Sequence, residues 1–78
     1  MNEERRKKIE KANGLLSEAR SLLEEIRDGE QEALENLPDN LREGEKGKKM
    51  DENVTALDEA MGSLEAVEST LDEVKGEG

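Results

Sequence analysis

Cysteine and histidine are both missing from this chain, as are Phe, Tyr and Trp, and proline occurs once. Without cysteine there is no disulfide framework and no thiolate nucleophile, so the redox compartment is left open. Without histidine the chain lacks the commonest metal ligand and the side chain that titrates nearest neutrality. The missing aromatics restrict the larger core-forming residues to Leu, Ile, Val and Met, and remove the stacking platforms that single-stranded nucleic acid uses. Long apolar runs are lacking too. No stretch approaches the roughly 20 apolar residues of a membrane span, and the opening MNEERRKK is not followed by the apolar segment of an export signal. A soluble, cytoplasmic protein is the expectation.

Charge is what the chain has in abundance: 44% of its 78 residues are charged against 31% hydrophobic, with a net charge of −10. A chain this short buries a low fraction of its surface, and such a composition also fits disorder. Disorder does not require the apolar residues to be patterned, however, and here they are. The negative balance works against nucleic acid and anionic lipid and favours basic partners.

From Ile9 onward, apolar residues recur at alternating steps of three and four: Ala12, Leu16, Ala19, Leu23 and Ile26, then Ala33 and Leu37, with Glu30 interrupting. This is the spacing of a helix presenting one seam to another helix. Met50, Leu57, Leu64 and Leu71 form a second series at steps of seven, partnered by Ala60, Val67 and Val74. The pattern predicts a single unit over 1–78: a helix over about 3–36, a linker with a short helical turn over about 37–46, and a helix over about 47–75. The fold class expected is all-α, an antiparallel, coiled-coil-like two-helix hairpin.

One register places apolar on apolar along most of that hairpin. It sets Ile9 opposite Val74, Ala12 opposite Leu71, Leu16 opposite Val67, Ala19 opposite Leu64, Leu23 opposite Ala60 and Ile26 opposite Leu57. Its one mismatched layer, Glu30 with Asn53, is polar on both sides and suited to setting register. The same register brings the basic run RRKK beside the acidic end of the second helix, with Lys11 near Asp72 and Arg6 near Glu77.

Between the helices, Pro38 disfavours continuation of the first helix and starts a short turn that Gly44 ends. Gly44 would also occupy the glycine position of a calcium loop read from Asp39, but Leu41 and Met50 stand where two ligands belong, so a solvated bend is expected. The cluster Lys46, Lys48 and Lys49 is diluted by Glu43 and Glu45 as an anion site. The order RDGEQEALENLPDNLREGEKGKKMDENVTALDEAMGSLEAV resembles small acidic helical proteins of phages and prophages of Gram-positive bacteria, which share an acidic helix, a short NLP linker and a second helix of LEEA-type repeats. The resemblance covers about Ile26 to Val67. It implies a small inhibitor or modulator of a host protein, and brings with it no activity, cofactor or site residue.

No residue pattern names a reaction. Ser17, Ser21, Ser63 and Ser69 have no histidine to activate them, and paired carboxylates such as Glu24 and Glu25 fit a solvated helix face. A non-enzymatic protein without cofactor or metal is expected. Apolar residues in excess of one seam are the remaining clue. Leu15 and Leu22 lie on one flank, and Leu34, Val54 and Met61 on the other flank near the bend. These five are the candidate residues for a partner or oligomer interface, because an isolated hairpin would cover neither flank. Gly14 and Gly62 fall on the face opposite the seam, as surface glycines or as points of close approach. The expectation is therefore a hairpin that dimerises into a four-helix bundle and binds another protein, such as a basic host protein, through acidic outer faces. A structural accessory protein of an assembly is the alternative, and direct nucleic-acid binding through RRKK the third possibility.

Overall fold

Asn2 starts the first helix. Its side-chain Oδ1 accepts a hydrogen bond from the Arg5 N–H at 2.9 Å, and Glu3 and Glu4 follow in the first turn, where the helix dipole favours negative charge. The computed structural model describes residues 1–77, without the side chain of Glu77. It consists of α1 (Glu3–Glu35), α2 (Asp39–Arg42) and α3 (Glu45–Glu77). The two long helices have 33 residues each and pack against each other as an antiparallel hairpin measuring 58 × 15 × 12 Å. Among the described residues no helix is long and apolar enough to cross a membrane.

The bend lies where Pro38 and Gly44 predict it. Pro38 caps α2, its carbonyl accepting from the N–H groups of Leu41 and Arg42 at 3.0 and 2.9 Å, and the Gly44 carbonyl accepts the Lys48 N–H at 3.1 Å as α3 begins. The second helix thus starts two residues earlier than expected and runs through Gly76. The last turn of α1 contains no basic residue. Arg42 supplies that charge from α2, its Nη2 donating to the carbonyls of Glu35 at 2.7 Å and Leu37 at 3.1 Å, groups near a helix end that have no partner within the helix. Gly47 is buried against α2: a Cβ there would lie 1.9 Å from the Arg42 carbonyl oxygen.

The rotation of both helices differs from the sequence expectation. On α3 the less exposed positions are Asn53 and, again alternating three and four, Gly47, Met50, Val54, Leu57, Met61, Leu64, Glu68, Leu71 and Lys75. On α1 they include Leu34, Glu30, Arg27, Leu23, Arg20, Leu16, Asn13 and Ile9, which with Leu37 just beyond its end mirror the alternating set one by one. The expected columns Ala60, Val67 and Val74, and also Ile26 and Ala33, are exposed instead. At 100° per residue each helix is turned by about 50° from the expected seam, and the register moves by one residue, so that Ile9 lies level with Lys75. Long polar side chains make this possible: Arg20 and Arg27 lay their aliphatic stems along the contact while the guanidinium groups reach carboxylates at its edge. The polar layer occurs as expected, with Asn53 Nδ2 donating to Glu30 Oε2 at 2.7 Å.

Candidate functional site

A column of hydrogen-bond donors and a column of carboxylates, each at steps of seven, build one side of the hairpin. Asn13, Arg20 and Arg27 project from α1, and Asp58, Glu65 and Asp72 from α3. Asn13 Nδ2 donates to Asp72 Oδ1 at 2.9 Å. Arg20 engages Glu68 through both Nε at 2.9 Å and Nη2 at 3.2 Å, and Glu65 through Nη1 at 3.4 Å. Arg27 Nε meets Asp58 at 2.9 Å, and its Nη1 meets the neighbouring Asp28 at 3.0 Å. The hydrogen bond that Arg20 donates to Glu68 raises the Arg20 pKa, opposed by desolvation and helped by the charges of Glu68, Glu65 and Glu24. For Arg27 the Asp28 hydrogen bond leads, followed by the charge and hydrogen bond of Asp58.

This side keeps a negative surplus. Arg20 and Arg27 stand against Asp28, Asp58, Glu65, Glu68 and Asp72, and Glu24 extends the acidic surface beyond the ion pairs, while Asp51 lies in a depression it shares with Arg42 and Lys48. The terminal charges contribute less than their number suggests. Lys8 pairs with Glu4 on its own helix at 3.5 Å, and Lys75 with Glu10 at 3.9 Å. Asp72 takes Asn13 in place of the expected Lys11, and the expected contact of Arg6 with Glu77 lies outside the described residues.

The opposite side is open and carries an apolar stripe, with Glu18 at its edge beside Leu22. Leu15, Leu22 and Ile26 of α1 and Val67 and Val74 of α3 lie there, each 38–59% exposed. Ala12, Ala19, Ala33, Ala56 and Ala60 fall between them at helical spacing. Of the five interface candidates, only Leu15 and Leu22 belong to this surface. Leu34, Val54 and Met61 do not form an uncovered flank: Val54, at 6% exposure, is the one buried large side chain among the described residues, and Leu34 and Met61 are half-buried in the helix contact. The change follows from the rotation of the helices, which turns these three inward and Ile26, Val67 and Val74 outward. Gly14 and Gly62 have open space around them.

Sequence reasoning missed the cross-helix role of Arg20 and Arg27 and the capping role of Arg42. The first had a legible signal in the acidic column Asp51, Asp58, Glu65 and Asp72, which matches the Arg20–Arg27 spacing. The second had none, because it depends on how α2 folds back over the end of α1. No protein-family model matches the chain, no curated protein resembles it in sequence, and no solved structure matches its fold.

Proposed function

We propose that this chain is a cytoplasmic, non-enzymatic protein–protein interaction module that self-associates and addresses a basic protein through its acidic surfaces. The observation that carries the reading is the division of the hairpin into an acidic side and an apolar side. Leu15, Leu22, Ile26, Val67 and Val74 remain exposed, while Val54 alone among the described large side chains is buried. A helix pair with so little interior depends on further burial for stability. The acidic side offers complementarity to a cationic surface, which governs encounter rate and specificity more than raw affinity. The phage-type resemblance of about Ile26 to Val67 supports the role of a small inhibitor or modulator of a host protein.

Two salt dependences of opposite sign test this. Two copies carrying −10 each repel, so added salt tightens self-association, measured by light scattering on a size-exclusion column with helicity followed on dilution. Salt or competing DNA releases a basic partner captured by the chain, and Glu24→Gln weakens that capture at unchanged helicity. Capture indifferent to salt, DNA and this substitution would remove the acidic surface from the mechanism. It would favour a structural accessory protein whose charge only maintains solubility.

A further inference from the structure

Large and small residues on the apolar side are distributed in a complementary way. The cross-helix pairs Arg27–Asp58 and Glu30–Asn53 fix which residues of α1 and α3 are level. Leu22 and Ile26 of α1 then stand beside Ala60 and Ser63 of α3, whereas Val67 and Val74 of α3 stand beside Ala19 and Ala12 of α1. Bulk thus alternates between the two helices from Ala12 to Ile26 except at Leu15, which stands beside Val67 and Thr70.

We infer that this side docks a second copy of the chain, about a two-fold axis running along the hairpin, with both bends at the same end. The inference rests on the reading of the chain as a self-associating module and names the surface and geometry. Such an axis lays α1 of each copy on α3 of the other. Leu22 and Ile26 then cover Ala60 and Ser63 of the second copy, and Val67 and Val74 cover its Ala19 and Ala12, the large-on-small packing that fills a bundle core. Every pair of neighbouring helices becomes antiparallel, as in up-down four-helix bundles. At the rim, Lys11 comes level with Glu73 of the second copy, an opposite-charge contact, while Glu25 comes level with Glu59 and Glu32 with Glu52, so the apolar face and not the rim drives the docking, which added salt favours. Between Ala12 and Ala33 the surface is about 31 Å long at 1.5 Å per residue and 15 Å across. Two copies therefore cover on the order of 1,000 Å², the size at which specific interfaces begin. The ion-paired sides face outward in this arrangement and remain free for a basic partner.

The absence of cysteine allows a single spin label at the exposed bend position Asn40 through Asn40→Cys. Light scattering is expected to give a dimer, and label-to-label distance measurement a separation under about 30 Å, since packed helices lie about 10 Å apart. Ile26→Glu with Val67→Glu is expected to abolish the dimer at concentrations where Ser21→Glu with Ser69→Glu preserves it. A monomer at every concentration would overturn the self-associating reading itself. A dimer with its labels near the full 58 Å length apart, or one that survives Ile26→Glu with Val67→Glu, would overturn this docking geometry and leave self-association standing.

Discussion

Replacing Gly47 by alanine separates local helix propensity from tertiary packing in sign as well as size. Alanine is favoured over glycine inside a helix by ~0.5–1 kcal/mol, so a reading of α3 alone predicts that Gly47→Ala stabilises. The structure predicts the reverse. An added Cβ would meet the Arg42 carbonyl oxygen at 1.9 Å, its carbonyl carbon at 2.5 Å and its Cα at 2.7 Å, all of them backbone atoms that no rotamer change can move. Relief requires α2 to separate from α3 by about an ångström, and overpacking of this kind costs ~1–3 kcal/mol. The shift would also pull the Arg42 side chain from the Glu35 and Leu37 carbonyls it bonds at 2.7 and 3.1 Å. After the propensity gain is offset, a net loss of about 1–2 kcal/mol is expected, which lowers the melting temperature by roughly 4–16 °C in a chain of this size. Gly14→Ala and Gly62→Ala provide the control. A Cβ at either position meets nothing within 4 Å, so each should raise the melting temperature through propensity alone. The assay is thermal melting by circular dichroism at one fixed protein concentration, because self-association makes the midpoint concentration-dependent. A Gly47→Ala protein that melts at or above the unsubstituted chain would refute the packing argument.

Three further perturbations address the other contacts. Arg42→Ala removes the donor to the end of α1 and should cost ~1 kcal/mol in urea denaturation, with Arg42→Lys restoring much of it, because both bonds come from the one Nη2 nitrogen and an ammonium carries donors enough for two carbonyls. A double-mutant cycle of Arg20→Ala and Glu68→Ala should give a coupling of ~0.5–1 kcal/mol that shrinks in high salt, the upper part of the range for a partly exposed pair because the contact is bidentate. Joint replacement Glu30→Leu with Asn53→Leu should raise the denaturation midpoint while broadening amide resonances in nuclear magnetic resonance spectra, as register specificity is lost with the polar layer; sharp single resonances would show that the layer does not set register.

Much of the local architecture was legible without coordinates. Steps of three and four announced two helices, Pro38 and Gly44 located the bend, and Glu30 with Asn53 stood out as the one layer polar on both sides. Each of these depends on backbone chemistry or on residues close in sequence. The choice of seam was not legible in the same way. Each long helix carries an apolar stripe wider than one contact line: Leu15, Ala19, Leu22 and Ile26 extend it to one side of Leu16 and Leu23, and Ala60, Val67 and Val74 do the same beside Leu57, Leu64 and Leu71. Periodicity locates such a stripe but does not say which edge meets the other helix.

Composition and spacing by themselves determined two acidic helices, the bend between them and the exclusion of thiol and imidazole chemistry. Only the tertiary structure decided the rotation of those helices, and with it which apolar residues are covered. Arg20 and Arg27 can bridge to Glu68, Glu65 and Asp58 only from the edge of the helix contact, and the same rotation carries Val54 and Met61 inward while Ile26, Val67 and Val74 move out. The physical reason is that cross-helix ion pairing and side-chain burial are set by both helices at once, whereas a one-dimensional pattern reports on each helix separately.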